Sequence, residues 1–273
     1  HLKDGARNAD ELASIVDVHA ESLFRVLRAL ATVDVVSQNE DGTFSLTEVG
    51  QLMRDDAEFS FAAMARMNCD PAHWLPWGEA DVCVKTGKPV AEKALGEDFW
   101  SYLNKHQDQF ERFNKAMTQT SSRVSKLIAT TYDFSGFSTV VDIGGGHGTL
   151  IKAVVEEHEG LQGVLFDLPR VIDTIPEDLK NKERITCVKG SFLESAPVGG
   201  DLYMMKHIIH DWSDQDCKVI LGHVRKVIPE NGRLLVADMV LQERGNVFAS
   251  WLDLNMMILL GGKERSKDQF ADL

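Results

Sequence analysis

Thr139-Val140-Val141-Asp142-Ile143-Gly144-Gly145-Gly146-His147-Gly148-Thr149-Leu150 is a β-branched run that breaks into glycines and then resumes as an apolar helix. Thr139 to Ile143 reads as a buried parallel strand, because a short apolar run that ends in glycine suits a strand covered on both faces. Glycines at 144, 146 and 148 let the backbone turn tightly and approach a ligand without Cβ interference. A bound group therefore sits at the strand's carboxyl end. The spacing excludes a dinucleotide fingerprint. Counted from Gly144 or Gly145, Gly-x-Gly-x-x-Gly requires glycine where the chain has Thr149 or His147. What remains is an acid ahead of the turn, in the form Asp142-x-Gly144-x-Gly146-x-Gly148.

A second strand, Gln162 to Phe166, ends in Asp167-Leu168-Pro169. Asp167 follows Gly144 by 23 residues, near the roughly 20-residue offset at which a carboxylate reaches a ribose diol in nucleotide-binding α/β units. Capping the Pro169 segment is the competing role for this acid, but it leaves the offset unexplained. Further on, Asp201 to Lys206 reads as the fourth strand, and Ser213 or Asp214 caps a helix running through Val219, Ile220 and Val224. His210 and Trp212 then lie in the loop beyond that strand's carboxyl end, where open α/β sheets bind ligands, so His210 faces the same crevice as Gly144. An imidazole placed there takes a proton from a hydroxyl near neutral pH.

At 273 residues and 44% hydrophobic content the chain buries a large core and has room for two domains. The longest apolar run near the end, Met256 to Leu260, has five residues, and the N-terminus carries no signal-peptide pattern, so no membrane span is expected. Cys69, Cys83, Cys187 and Cys217 form no Cys-x-x-Cys pair, which argues against a zinc site or a disulfide framework and fits a reducing, cytoplasmic compartment. The chain opens at His1 without methionine, and Lys267 to Leu273 looks like a helix stopped mid-pattern; the sequence reads as a fragment with a truncated C-terminus.

Residues 1–60 form a different unit. Asp10 to Val16 and Glu21 to Thr32 read as helices, the second with Leu23, Val26, Leu27 and Leu30 on one buried face. Val35 and Val36, Asp41-Gly42, then Phe44 and Leu46 signal a hairpin. Two helices and a β-wing suggest a winged helix, which raises the question of DNA. Charge argues against it: this unit holds five Lys or Arg against twelve Asp or Glu, and the whole chain carries −13. A phosphate backbone is repelled by that field, so the unit reads as a scaffold or subunit contact. Residues 61–132 read as mostly helical, and Met64, Met67, Asn68, His73 and Trp74, with Met117 and Met256, are candidates for one wall of a pocket, since methionines adapt to flat aromatic ligands.

Several motifs together carry a family resemblance. Asp-Ile-Gly-Gly-Gly-His-Gly at 142–148 resembles motif I of class I S-adenosylmethionine-dependent methyltransferases. With Phe-Asp-Leu-Pro at 166–169, Lys-His-Ile-Ile-His-Asp-Trp-Ser-Asp at 206–214 and Gly-Gly-Lys-Glu-Arg at 261–265, it resembles the caffeic acid/acetylserotonin type of O-methyltransferase. Phe-Asn-Lys-Ala-Met at 113–117 and the winged-helix segment extend the similarity over nearly the whole chain. The resemblance implies an α/β, Rossmann-like methyltransferase domain over 133–273, a winged-helix dimerisation domain over 1–60 and a helical substrate wall over 61–132. It also implies a homodimer, S-adenosylmethionine as cofactor, no metal, and transfer of a methyl group to a phenolic hydroxyl of a small aromatic molecule.

Carried over by motif, His210 matches the proton acceptor, Gly144, Asp167 and Lys206 match cofactor-binding positions, and Glu264 matches one of two acids that orient the histidine. The second acid is expected at Asp238, where plant members commonly carry glutamate; one methylene fewer implies a longer or water-mediated contact to His210. Ser191-Phe192 stands where the family often has an acid at the adenine end. Ser191 supplies no such charge, which implies weaker cofactor affinity, while Phe192 remains able to pack on the ring. Two rivals come from other classes. A nicotinamide-dependent dehydrogenase fails the glycine count. A non-methylating relative, either a ligand sensor or an enzyme of altered chemistry such as hydroxylation, is disfavoured by retention of His210 and Glu264.

Overall fold

The computed structural model describes residues 1–57, 60–242 and 246–273. Asn8 starts helix α1 (Ala9–Val16) through a reciprocal capping box with Glu11, and His19 caps α2 (Ala20–Thr32). Strands β1 (Val36–Gln38) and β2 (Phe44–Leu46) pair antiparallel across the Asp41-Gly42 turn. Leu12, Leu27, Val36 and Phe44 are buried together and give this unit its own small core, with the two helices and hairpin expected from sequence. The next stretch is helical, as its pattern implied: α3 (Glu48–Gln51), α4 (Ala62–Asn68), α5 (Pro71–Trp77), α6 (Ala80–Thr86), α7 (Ala91–Leu95), α8 (Phe99–Lys105) and the long α9 (Gln107–Thr131).

The second half alternates strand and helix: β3 (Thr139–Ile143), α10 (Thr149–Glu157), β4 (Gln162–Asp167), α11 (Pro169–Asp173), α12 (Glu177–Lys180), β5 (Ile185–Lys189), β6 (Leu202–Lys206), α13 (Asp214–Val227) and β7 (Arg233–Ala237). All five strands are parallel, in the order β5-β4-β3-β6-β7. Side chains alternate with the period of two that a strand imposes. Val140, Leu165, Leu202 and Met204 pack with Leu150, Ile151 and Val154 of α10 on one face. Val141, Ile143, Tyr203 and Met205 pack with Ile220 and Val224 of α13 on the other. Both faces are therefore covered, which is why β3 reads as an unbroken apolar run.

The chain lays β4 and β5 on one side of β3, then crosses to place β6 and β7 on the other. The order reverses between β3 and β6, and the crevice at their carboxyl ends is the switch point where open α/β sheets take ligands. Beyond β7 come β8 (Val240–Leu241), α14 (Val247–Leu259), β9 (Arg265–Ser266) and α15 (Lys267–Ala271), with β8 and β9 paired in parallel. Ile258 and Leu259 of α14 share a core with Ala72, Cys83, Phe99 and Leu103, so the helical region is tied to the end of the described chain. Among the described residues no helix is long and apolar enough to cross a membrane.

Leu165, fully enclosed in the sheet's interior, sets a test of this core. Leu165→Ala is expected to lose about 2–5 kcal/mol in urea unfolding followed by circular dichroism. Val198→Ala, at a side chain that is 77% exposed, is expected to change stability by less than about 0.5 kcal/mol. Equal effects at the two positions would contradict the assignment of the core.

Candidate active site

The glycine turn leaves β3 with Gly144 N donating to Phe166 O at 2.8 Å, which locks the start of the turn to the neighbouring strand. Gly146 has φ +58, and a Cβ there would meet nothing within 4 Å, so the turn faces open space. Its N–H donates to Asp167 Oδ2 at 2.8 Å, and Leu168 N donates to Asp167 Oδ1 at 2.7 Å. Each carboxylate oxygen thus keeps a lone pair for a diol. Burial pushes the Asp167 carboxyl above its usual range, against the two backbone donors. Phe192 closes the other side: its Cε1 stands 3.2 Å from where a Gly144 Cβ would be, and its ring meets Trp212 edge-on at 5.7 Å. Ser191 Oγ accepts from Leu193 N at 3.3 Å and shapes that loop. An open glycine turn, a buried acid with spare acceptors and an aromatic flank fit an adenosine-bearing cofactor.

Lys206 ends β6 beside the same crevice. Burial lowers its ammonium below the ordinary lysine range, opposed by Asp142 and Asp238. Asp142 is itself buried and is raised to about 7 by loss of solvent, although Lys206 pulls it down. The chain then turns through His207, a non-glycine residue at φ +55, into the single 3₁₀ turn Ile209–Asp211. His207 is held neutral, lowered to about 3 by burial, with Lys206 and His210 acting in the same direction. Its ring centroid lies 5.5 Å from that of His210.

His210 is buried, and its Nδ1 lies 2.7 Å from Glu264 Oε1. With the acid accepting from Nδ1–H, Nε2 is the nitrogen left for proton transfer. Nε2 stands 3.4 Å from Asp211 Oδ1. Burial opposes charge on His210, but Asp211, the Glu264 hydrogen bond and Asp238 outweigh it and raise the imidazole to about 9. Asp211 is raised to about 6 by burial.

The structure brings Gly144, Asp167, Ser191, Phe192, Lys206, His210 and Glu264 to one crevice. Asp238 makes no direct side-chain bond to His210. Neither of its oxygens has a hydrogen-bond partner among the described residues. Its side chain lines a largely apolar cavity of about 390 Å³ with Ile209, Leu234, Val236 and Phe270. Its carboxyl is raised by burial, opposed by the charge on His210 and, more weakly, by the nearby backbone N–H groups of His207 and His210. The shorter aspartate falls short of a direct bond. Asp211 holds the second carboxylate contact instead; the sequence shows it as the immediate neighbour of His210 but gives no sign that its oxygen turns back to Nε2. Glu264 is positioned from behind by Asp253, whose Oδ1 accepts from Glu264 N at 2.8 Å.

Of the expected pocket wall, Met67 is buried and packs with Ala63, Ala116, Phe113, Met64 and Met117. His73 is also buried, between Phe99 at 5.3 Å and Phe113 at 6.4 Å, with Nδ1 unpartnered and the ring lowered to about 4 by burial. Trp74 does not join them: it is 68% exposed, because the same turn of α5 that buries His73 directs its neighbour outward.

The family described as an O-methyltransferase domain matches residues 77–273. The mitomycin biosynthesis 6-O-methyltransferase of Streptomyces lavendulae is 36% identical, covering 100% of this chain and 79% of that protein. Phenazine O-methyltransferase PhzM of Lysobacter antibioticus is 34% identical, covering 100% of this chain and 81% of that protein. Among solved structures, CalO1, a methyltransferase of calicheamicin biosynthesis in its S-adenosylhomocysteine-bound form, superposes with a TM-score of 0.85 at 32% identity, covering 99% of this chain and 81% of that one.

Because His210 holds its proton more tightly folded than unfolded, its stabilising contribution is complete below about 6.5 and is lost as pH rises through about 9. Between pH 7 and 9 the melting temperature is therefore expected to fall more steeply for the native chain than for His210→Gln. Parallel slopes would contradict the raised imidazole.

Proposed function

The chain belongs to the S-adenosylmethionine-dependent O-methyltransferase family, and on that footing we propose that His210 takes the hydroxyl proton of a small planar aromatic acceptor as its oxygen receives the methyl group. The observation that carries this reading is the 2.7 Å contact between His210 Nδ1 and Glu264 Oε1, which fixes the ring and leaves Nε2 as the acceptor nitrogen. When bound, S-adenosylmethionine supplies a methyl group on a positively charged sulfonium, and a positive charge beside an imidazole lowers its pKa.

The chain's own residues do the rest by positioning. Asp167 holds the ribose diol, the backbone at Gly144 approaches the cofactor closely, Phe192 packs on the adenine, and Ser191 offers its hydroxyl where an acid is common. Lys206 places positive charge at the end of β6. Glu264 orients His210 and balances the imidazolium, and Asp238 adds negative potential from a distance. A sensor has no use for an imidazole held between carboxylates. The methionine-rich wall, together with the phenazine named for one relative, supports a flat aromatic acceptor.

The finer placement in the caffeic acid/acetylserotonin type rests on the four ordered motifs. The division at 60/61 and 132/133, a winged-helix unit that pairs with a second copy, and a reducing cytoplasmic setting complete the reading. The small separate core of the N-terminal unit supports the first boundary, and four free cysteines support the setting.

Calorimetric titration with S-adenosylhomocysteine is expected to show binding, with none for NAD. His210→Ala should bind it equally and lose about 100-fold or more in turnover of hydroxyphenazines and simple phenols, read as a methyl-sized mass gain. Undiminished turnover would remove His210 from the role of base, and binding of NAD alone would overturn the cofactor.

A further inference from the structure

Arg265 is the bulkiest of the fully enclosed side chains and has no exposure to solvent. A guanidinium has five N–H groups in a planar fork, and here each has an acceptor. Nε donates to Asp214 Oδ1 at 3.1 Å. Nη1 donates to Ile209 O at 2.9 Å and to Lys263 O at 3.3 Å. Nη2 donates to Trp212 O at 2.9 Å and to Asp214 Oδ1 at 2.7 Å. Ile209 and Trp212 bracket His210, while Lys263 immediately precedes Glu264. One buried cation therefore holds both ends of the turn that carries the imidazole and the segment that carries its acid.

The two segments also meet directly. Lys263 N donates to His210 O at 2.9 Å. A Cβ on Gly262 would lie 2.0 Å from that same carbonyl oxygen, so the approach is open only to glycine. The carbonyls of Ile209, Trp212 and Lys263 lie outside any sheet ladder, and among the described residues only that of Ile209 also takes a backbone donor, Trp212 N at 3.3 Å across the 3₁₀ turn. Burying a charge is costly, and Asp214, whose side chain is half exposed, is the one carboxylate that Arg265 pairs with among the described residues. Such an expenditure is unexplained by stability alone when an apolar side chain would fill the space.

We propose that Arg265 is a positioning residue for methyl transfer: its guanidinium registers the His210 turn against the Glu264 segment, fixing the base–acid contact and the aim of Nε2. The proposal rests on the reading of His210 as the base. It predicts that the planar fork matters and that charge alone does not suffice. A lysine in this place has one nitrogen and cannot span Ile209 O and Trp212 O while meeting Asp214.

The test compares the native chain, Arg265→Lys, Arg265→Ala and His210→Ala. The His210 ring is followed by NMR on histidine-labelled protein, with its signals assigned by their loss in His210→Ala. Titratable groups facing that ring are Asp211, Asp238, Glu264 and His207; Asp211 shares the clamped turn with His210, and Glu264 alone reaches the ring from the other clamped segment. In Arg265→Lys the hydrogen-bonded Nδ1–H signal is expected to vanish and the ring to titrate about one unit lower, as loss of a partner favouring the charged form requires. Affinity for S-adenosylhomocysteine should stay within about twofold, while kcat for a phenol turned over by the native chain falls about 10-fold or more with KM little changed. Guanidinium added to Arg265→Ala should restore part of both the signal and kcat; sodium chloride at equal concentration should not.

An unchanged ring signal and titration in Arg265→Lys would overturn the clamp. So would an Arg265→Ala chain that loses cofactor binding and thermal stability together and recovers nothing with guanidinium, which is the behaviour of a residue serving the fold alone. Full turnover in His210→Ala condemns the base, and the clamp's part in methyl transfer with it. An inactive His210→Ala beside a fully active Arg265→Lys condemns the clamp alone.

Discussion

The hydrogen bond between His210 Nδ1 and Glu264 Oε1 joins residues 54 positions apart in the chain and excludes both from solvent. Neither partner is tolerable there without the other, since a lone buried carboxylate or imidazolium loses several kcal/mol of hydration. The bond therefore constrains everything that brings the two together. β6 must end where it does, the chain must reverse through a left-handed His207, and α14 must return the 261–265 segment to the same edge. Gly262 is a consequence of that closure, because its neighbour is the carbonyl of His210 itself.

Charge around this pair is unbalanced. Asp211, Asp238 and Glu264 surround one imidazole, and Asp238 has no hydrogen-bond partner. Burial raises Asp211 and Asp238, and the negative charge they keep is what holds the imidazole high against its own burial. With its imidazole raised to about 9, such a site holds the ring protonated at neutral pH until a positive charge beside it lowers the pKa and frees Nε2 to accept a proton. The surplus of acid serves proton transfer better than it serves stability.

The parts of this site visible in the sequence are those whose geometry is local. The glycine turn after β3, Asp167 at a fixed offset and Ser213 as a cap each follow from neighbours within one strand–loop–helix unit. Ser213 Oγ indeed accepts from Asp216 N. Asp211, Asp253 and Arg265 were invisible because their roles depend on which way a side chain turns once two distant segments touch, and period and spacing carry no such information. Trp74 was misplaced for the same reason: one helical position decided between wall and solvent.

The topology explains why chemistry and specificity are separable here. Parallel strands put every carboxyl end on one edge, so Gly144, Asp167, Ser191, Lys206 and Asp238 arrive there from five different strands or the loops just beyond them. That floor is polar, and Asp167 is bonded into it by Gly146 N and Leu168 N. A separate cluster comes from α4 and α9, where Met64, Met67, Met117 and Phe113 pack through unbranched or flat side chains with few hydrogen bonds to lose. On the proposed reading this cluster walls the acceptor, so substitutions there reshape the acceptor pocket while the sheet edge keeps the reaction.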